Sequence, residues 1–541
     1  MKYTMKSINF IKAYWFLFLI PCSLFLASCK DNTQEQKDWD ATAKLYPSSD
    51  EKQSTTYYKP YAGFVGDPMP FYDPNSRSFK VLYLQEYRPN MAGTYHPFWG
   101  VETYDAANYI SLNEVLPTGS IAEQDAALGT GCVVYNPADK LYYIYYTGNR
   151  NMPKAGEDAQ IVMRATSPDF KTWTKDPLFR LRGVDYAYST NDFRDPCIFL
   201  DEENVWHMIV STKVGGKGNF AEFTSTDLKT WTHVGIFMQM MWDRFYECPD
   251  VFKMGEYWYL VYSEITGGKG KEWGRHVQYF KGKTLEDLKA CTAGDPPIWP
   301  DDHDGFLDSR GFYAGKTAAL NDGTRYIWGW CPTREGNDNT KTNPEGEPQW
   351  AGSLVAHRLI QHDDGTLTLG EIPAIKSKYA NPKEVKVMAQ SEEGVTGTKN
   401  GYTLAANSYV LFNRLDYHNH LSMTVTTAGA ADKFGISFVR GTDSKKYYTL
   451  VVNPEGNTRR KINFEEEGGV GFIGAIDSYM FHTPADNTYH IDIYTDNSVL
   501  VLYINDVLAY TNRIYGIQHN CWSVNSYNGE ITVSDIRLKQ Y

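Results

Sequence analysis

The chain of 541 residues has no excess of basic residues: 53 Lys and Arg stand against 65 Asp and Glu, for a formal net charge of −12. Proteins that bind nucleic acid present a basic stripe to the phosphates, so this composition argues against nucleic acid as a partner. The chain also has no CxxC and no HExxH motif, and we therefore predict no zinc site. Its 42% hydrophobic content is that of a globular protein and excludes a polytopic membrane protein or a disordered chain.

Cysteine is scarce, and its spacing shows no pairs. Two of the eight cysteines, Cys22 and Cys29, lie close to the N-terminus. In a body this large, unpaired cysteines inside apolar strands indicate buried free thiols and not a disulfide framework. We expect this of the other six: Cys132, Cys197, Cys248, Cys291, Cys331 and Cys521.

The N-terminal sequence is typical of a targeting segment. An apolar run over residues 13–27 follows three lysines, and it is too short and too close to the terminus to be a membrane span. The run ends in Leu-Ala-Ser-Cys29, which resembles the bacterial lipobox, in which the cysteine is lipidated and becomes the mature N-terminus. We predict a lipoprotein signal peptide over 1–28 and a tether over 29–56. The remainder is expected to be extracytoplasmic and lipid-anchored to a bacterial membrane, at the outer membrane, the cell surface or the periplasmic face.

Aromatic residues are plentiful, with 40 Tyr, 26 Phe and 14 Trp, and they favour strands and offer flat faces to sugar rings. Five segments repeat one pattern, a short apolar piece, a turn and an aromatic-rich strand. They span 66–84, 130–146, 194–210, 246–262 and, more weakly, 312–330.

A Ser/Thr-x-Asp turn recurs between these segments at nearly equal intervals, with Asp169, Asp227 and a degraded copy at Asp287. Strand units that recur at a fixed period of about 60 residues are typical of a propeller whose blades have four strands. We predict an all-β fold: a five-bladed β-propeller over 57–378, followed by a β-sandwich over 394–541, where long polar/apolar alternation appears.

Three of the repeats carry a carboxylate at the same position when the repeats are aligned. These residues are Asp67, Asp195 and Glu247, whereas the second repeat has Gly131 there. The first strand of each propeller blade lines the central channel, so we expect the three acids to face one pocket. Mutual repulsion should then raise the pKa of at least one of them, as a general acid requires.

The flanking residues suggest how the three acids divide the work. Glu247 lies between Tyr246 and Cys248, a less polar setting that favours the protonated acid. The guanidinium of Arg194 would tend to keep Asp195 ionised if the two groups come close, which leaves Asp67 as base or nucleophile. Two carboxylates across a glycosidic bond are the minimal machinery of glycoside hydrolysis, with retention or inversion set by their separation.

These residues resemble a known family. Gly66-Asp67-Pro68, Arg194-Asp195-Pro196 and Glu247-Cys248-Pro249 are similar to the motifs of glycoside hydrolase family 32, the invertases, inulinases and levanases that act on β-fructosides. The resemblance implies a retaining hydrolase with Asp67 as nucleophile, Asp195 as transition-state stabiliser and Glu247 as acid/base. It implies no metal and no organic cofactor, and a fructan or fructo-oligosaccharide as the substrate.

Further segments extend the resemblance along the chain. Those around Gln85, His96-Pro-Phe-Trp99-Gly100, Ile327-Trp-Gly-Trp330 and Trp350-Ala-Gly-Ser353 are similar to family motifs in order and spacing. The candidate substrate contacts are Gln85, Trp99, Arg194, Cys248 and Trp330. One motif departs from the family pattern: Gly66 stands where an Asn precedes the nucleophile and helps to hold the terminal fructose.

Two other functions fit the same residues. One is an inverting arabinosidase or xylosidase of the family 43 type, which also places two Asp and one Glu on a five-bladed propeller. The other is a surface glycan-binding lipoprotein without turnover. The sequence leaves open the choice between levan, inulin and sucrose-type substrates, endo or exo action, and the oligomeric state.

Overall fold

The computed structural model describes residues 54–87, 93–239, 245–265, 275–291, 306–333, 349–441, 446–455, 459–467 and 479–541. The predicted signal peptide, the lipidation site Cys29 and the tether up to residue 53 lie outside these ranges. Within the ranges, no helix combines the length and the apolar character that crossing a bilayer requires.

The first domain is built almost wholly from antiparallel strands, which follow one another in five groups. The groups are β1 Phe64–Asp73, β2 Ser78–Glu86, β3 Phe98–Thr103 and β4 Ile110–Leu116; β5 Ala127–Asn136, β6 Leu141–Asn149, β7 Gln160–Ser167 and β8 Thr174–Lys175; β9 Phe193–Leu200, β10 Trp206–Val214, β11 Lys217–Ser225 and β12 Thr232–Gln239; β13 Phe245–Met254, β14 Tyr257–Ile265 and β15 Arg275–Gly282; β16 Tyr313–Ala319, β17 Arg325–Thr333, β18 Gln349–Gln361 and β19 Leu367–Gly370. A 3-10 turn covers Gly183–Tyr186, helix α1 covers Leu285–Ala290, and helix α2, Pro373–Lys378, follows the last group.

The first strands of the five groups close a ring. Strand β1 contacts β5, β5 contacts β9, β9 contacts β13, β13 contacts β16, and β16 contacts β1. Within each group, each strand pairs with the next one along the chain, so later strands lie further from the ring. Strand β18 of the last group also bridges to β1 at Gly352 and Val65. The five first strands therefore surround a central channel, as the blades of a propeller do. The prediction of an all-β fold with a propeller first is confirmed.

The recurring Ser-x-Asp turns form as predicted in two of the three places. Asp169 accepts hydrogen bonds from the backbone N–H groups of residues 171 and 172, and Asp227 accepts them from residues 229 and 230. The third place is different. Thr284 and Asp287 form a reciprocal capping box that starts helix α1 where the degraded turn was expected.

The second domain is a sandwich of two antiparallel sheets with an apolar core between them. Its strands are β20 Asn381–Lys383, β21 Val387–Gln390, β22 Val395–Gly397, β23 Gly401–Leu404, β24 Tyr409–Phe412, β25 His418–Thr427, β26 Phe434–Val439, β27 Tyr447–Glu455, β28 Arg459–Glu467, β29 Tyr479–His482, β30 Thr488–Asp496, β31 Val499–Ile504, β32 Leu508–Arg513, β33 Trp522–Ser526 and β34 Ile531–Gln540. One sheet has the order β22-β23-β34-β25-β30-β31-β32 and the other β21-β24-β33-β26-β27-β28-β29. This confirms the predicted sandwich after the propeller.

Buried polar groups join the two domains. The carboxylate of Asp496, at the end of β30, accepts hydrogen bonds from the backbone N–H groups of residues 55, 56 and 57 at 2.7–3.3 Å. Arg513, at the end of β32, donates to the carbonyl oxygens of Cys331 and Pro332 at 2.9 and 3.1 Å and to Ser353 Oγ at 3.1 Å. The bonds of Asp496 therefore tie the sandwich to the segment before β1, and those of Arg513 tie it to strands β17 and β18. Buried carbonyl groups are costly without a donor, so the loss of Arg513 would be unfavourable.

We predict that Arg513→Met destabilises the protein although it preserves much of the side-chain volume. The carbonyl groups of Cys331 and Pro332 would lose their buried donor, which should lower the free energy of unfolding by about 3 kcal/mol. Urea unfolding followed by tryptophan fluorescence measures this. Arg414→Met, at an exposed arginine of the same domain, is the control. Equal stability of the two variants would contradict the prediction.

Candidate active site

A register shift interrupts the pairing of each first strand at an equivalent point, so that each strand bulges towards the channel. The first residues of the bulges, which we call the bulge ring, are Asp67, Thr130, Asp195, Cys248 and Ala314. All but Thr130 have a positive φ, of 26° at Asp67, 58° at Asp195, 52° at Cys248 and 55° at Ala314. Left-handed backbone at residues other than glycine is strained, and such strain collects at functional sites.

The residues one position earlier form a second set, which we call the preceding ring: Gly66, Gly129, Arg194, Glu247 and Tyr313. Glu247 thus belongs to the preceding ring, and the predicted alignment with Asp67 and Asp195 is wrong by one residue. The second repeat likewise places Thr130, not Gly131, in the bulge ring. The reason is that the bulge in β13 falls on Cys248 and Pro249, which the spacing of the repeats alone does not indicate.

Asp67 is partly buried, and both of its carboxylate oxygens accept a hydrogen bond. Thr130 Oγ1 donates to Oδ2 at 2.7 Å, and Trp330 Nε1 donates to Oδ1 at 2.9 Å. Burial raises the pKa of Asp67, and the nearby charge of Glu247 acts in the same direction, while the two hydrogen bonds oppose the rise. The carboxylate is therefore held in one orientation at the channel.

Asp195 lies one blade beyond Thr130 and is 3% exposed. Its Oδ2 accepts a hydrogen bond from the backbone N–H of Cys248 at 3.0 Å, and its own N–H donates to Thr147 Oγ1 at 2.9 Å. Burial raises the pKa of Asp195 to about 7; the Arg194 charge works against the rise, whereas Glu247 adds to it. Asp195 is thus the acid whose pKa approaches neutrality.

Glu247 is held from both sides within the preceding ring. Arg194 Nη2 lies 2.7 Å from Oε1, and the Tyr313 hydroxyl donates to Oε2 at 2.8 Å. The Arg194 guanidinium stacks on Phe245 and is more distant from Asp195, with 4.0 Å between Nε and Oδ2. Arg194 therefore pairs mainly with Glu247.

The prediction of an apolar environment around Glu247 is wrong, because a guanidinium and a phenol contact its carboxylate. Alternation along strand β13 turns Tyr246 into the core, where it packs on Phe220 and Tyr262, and the thiol of Cys248 contacts Asp195. Tyr246 points away from Glu247 by the alternation of the strand, and side chains of other blades, Arg194 and Tyr313, contact the carboxylate instead.

Family comparison agrees with this geometry. The model of the glycosyl hydrolases family 32 N-terminal domain matches residues 57–372, more than half of the chain. The chain belongs to glycosyl hydrolase family 32. The C-terminal domain model described as "GH32, BT1760-like" matches residues 365–538. The resemblance drawn from the sequence motifs is confirmed.

Relatives in the family are distant in sequence. Sucrose-6-phosphate hydrolase of Escherichia coli is 24% identical over 348 residues, which cover 61% of this chain and 66% of that protein. The enzyme of the same name from Staphylococcus xylosus is 23% identical, covering 66% of this chain and 68% of that protein. The chain thus aligns with only about two thirds of the length of these relatives.

Solved structures share the fold at low identity. Fructan 1-exohydrolase IIa from Cichorium intybus is 16% identical, with a TM-score of 0.71 over 91% of this chain and 98% of that one. Sucrose-6-phosphate hydrolase from Lactobacillus gasseri is 17% identical, with a TM-score of 0.69 over 95% and 97%. At such identities the likeness shows the family 32 fold.

The predicted substrate contacts of this family 32 protein fall into two groups. Arg194, Cys248 and Trp330 contact the carboxylates, as described above. Gln85 and Trp99 lie on β2 and β3, further out in the first blade. The Gln85 amide is fully buried and donates to the carbonyl of Ala62, and Trp99 packs against the adjoining apolar core.

Sequence reasoning missed three side chains of the site. Thr130 and Tyr313 hold Asp67 and Glu247, and each occupies a ring position in a repeat that carries no acid. The third, Trp350, lies on β18, stacks on His96 with 4.6 Å between ring centroids, and meets Trp330 edge to face at 5.8 Å. If the position of the bulge in each strand were known, the aligned repeats would identify Thr130 and Tyr313. Trp350 lies outside the five repeats, so their alignment does not identify it.

One cluster among the described residues has the composition of a metal site. Glu371, His420 and Asp492 place ligand atoms within 4.8 Å of one another near the joint between the domains. The ammonium group of Lys376, however, already lies 2.9 Å from Glu371 and 3.7 Å from Asp492. A cation of the protein itself therefore balances these carboxylates, and we assign no metal there.

We predict that Asp195→Asn stabilises the protein more at pH 8 than at pH 5. The pKa of Asp195 is 3.8 without the protein environment and about 7 in the folded state, so between these values the folded chain binds more protons. The free energy of unfolding therefore falls as the pH rises through this window, and asparagine removes that fall. Melting temperatures across pH 4–9 measure the difference, with the exposed Asp363→Asn as control. A pH-independent difference would contradict the prediction.

Proposed function

We propose that the protein is a retaining glycoside hydrolase that cleaves β-fructofuranosidic bonds in fructans or fructo-oligosaccharides. The observation that carries the proposal is the convergence of Asp67, Asp195 and Glu247 on two adjoining rings of one channel in a family 32 chain. Hydrogen bonds through Thr130, the Cys248 backbone and Arg194 hold the acids in place. The match to family 32 does not favour the inverting, family 43-like alternative.

Asp67 serves as the nucleophile in this proposal. Its two oxygens are fixed by donors, so the carboxylate needs little reorganisation to attack the anomeric carbon of the fructosyl group. The C–O bond to the leaving group breaks as the bond to Asp67 forms. This gives a fructosyl-enzyme ester, which water hydrolyses in a second step with the same configuration overall.

Glu247 is the acid/base. Arg194 always donates to Oε1, whereas the Tyr313 hydroxyl can turn from donor to acceptor, so a proton on Glu247 belongs at Oε2. That proton passes to the departing oxygen in the first step, and the resulting carboxylate takes one from water in the second. Asp195 accepts hydrogen bonds from sugar hydroxyls as positive charge develops on the ring.

We predict that Asp67→Asn lowers kcat by at least about 10³-fold, because the nucleophile is lost. Glu247→Gln should lower kcat by about 10²–10⁴-fold on natural fructosides, since the leaving oxygen is no longer protonated. An aryl fructoside with a good leaving group needs little protonation, and its first step should be much less affected. Initial rates on sucrose, inulin, levan and an aryl β-fructofuranoside measure these effects.

The exposed Glu256→Gln, in the same blade as Glu247, is the matched control and should keep wild-type rates. Methanol as acceptor reports the stereochemistry, since retention gives methyl β-fructofuranoside. Full activity of both active-site variants on every fructoside that the wild type cleaves would refute the proposal. So would tight glycan binding by the wild type without any turnover.

We further propose that Cys29 carries a lipid that anchors the enzyme outside the cytoplasm. The support is the lipobox-like sequence before Cys29 and the polar stretch after it. An enzyme held at a bacterial membrane in this way would meet its polysaccharide substrate outside the cell or in the periplasm.

We predict that Cys29→Ser moves the protein from the membrane fraction to the soluble fraction of an expressing bacterium, because no thiol remains for lipidation. Cys22→Ser, inside the apolar run, is the control and should leave the protein at the membrane. Detergent partition and labelling with a clickable fatty acid measure the change. Retention of label by the Cys29 variant would contradict the prediction.

A further inference from the structure

Gly66 and Trp350 lie against each other beside Asp67. A Cβ atom built on Gly66 would be 2.2 Å from Cη2 of Trp350, 2.7 Å from Cζ2 and 2.8 Å from Cζ3. These distances are far below van der Waals contact. The six-membered ring of Trp350 therefore occupies the space that any side chain at position 66 would need.

The position of the Trp350 ring is supported by its neighbours. His96 stacks on the indole, and Trp330 meets it edge to face. His96 is itself held by Glu86, with 2.6 Å between Nε2 and Oε2. A side chain at position 66 would therefore have to displace a ring that is packed between other aromatic rings, which costs more than moving the end of a flexible side chain.

Backbone conformation does not explain the glycine. Gly66 does not have a left-handed φ, unlike the adjacent Asp67, so an L-amino acid could adopt its backbone angles. The requirement for glycine is therefore one of space, and the group that takes the space is the Trp350 indole.

The indole also lies at the reacting centre. Trp330, on which Trp350 packs, donates its N–H to Asp67, and Trp350 adjoins the apolar cluster of Cys248, Tyr313, Ala314 and Trp330. Trp350 is only partly buried, so part of its surface remains available to a bound molecule. An aromatic surface contacts the C–H face of a sugar through dispersion and offers it few hydrogen bonds.

We propose that Gly66 and Trp350 form a specificity-determining pair, in which glycine at 66 admits the indole as an aromatic wall for the fructosyl group next to the nucleophile. The proposal rests on the fructoside hydrolysis proposed above. It names the contact by which the fructosyl ring beside the nucleophile is selected: a C–H face against an indole, where a polar residue at 66 would have offered hydrogen bonds.

A double-mutant cycle tests the pair. Trp350→Ala should raise KM about 10-fold or more with a smaller change in kcat, because a binding contact is lost while the acids remain. Gly66→Ala alone should lower kcat/KM by about 10-fold or more, because the methyl group displaces the indole. In the Trp350→Ala background, Gly66→Ala should have little further effect.

Gly397→Ala is the matched control, since a Cβ at Gly397 meets no atom within 4 Å and should change nothing. Circular dichroism and melting temperatures establish that each variant is folded. If Gly66→Ala is harmless in the wild type, or equally harmful with and without Trp350, the pair does not act as proposed.

The two proposals fail in different ways. A wild type that cleaves another furanoside but no fructoside refutes the proposed substrate, while the cycle on the furanoside still tests the pair. A wild type that cleaves fructosides with independent effects at 66 and 350 refutes only the pair.

Discussion

The site depends on the bulge that interrupts the first strand of each blade. Without a bulge, successive residues of a strand would alternate between the channel and the interior, and each blade would offer one residue at a given depth. With the bulge, two consecutive residues of a strand reach the site, as Arg194 and Asp195 do. The strain at Asp67, Asp195 and Cys248 is the cost of this arrangement, and the packed blades bear it.

The three carboxylates of the site are distributed over the bulge ring and the preceding ring. The bulge ring holds Asp67 and Asp195 among hydroxyl, indole and backbone N–H donors, where burial raises both pKa values. The preceding ring holds Glu247 between a guanidinium and a phenol. One carboxylate is thus set apart from the other two by its partners.

Much of this arrangement follows from the sequence, and the exceptions have physical causes. The regular period of the repeats and the aromatic strands predict the propeller, and Asp-Pro at two repeat positions predicts two of the acids. The placement of Glu247 was wrong by one residue because a bulge depends on pairing with the next strand. The partner of Arg194 was misjudged because Glu247 comes from the next blade and meets the guanidinium only through tertiary packing. Trp350 lies in the last blade and Gly66 in the first, far apart in sequence, and only tertiary packing brings them together.

The guanidinium of Arg513 has a consequence for how these two domains can evolve. It satisfies carbonyl groups one and two residues after Trp330, whose indole donates to Asp67, the proposed nucleophile, so the sandwich completes the hydrogen bonding of strand β17. A chimera that exchanged this sandwich for another would have to supply an equivalent donor at the same point. The C-terminal domain is therefore not a detachable accessory, and the sequence changes it can accept are limited by the strand that it supports in the first domain.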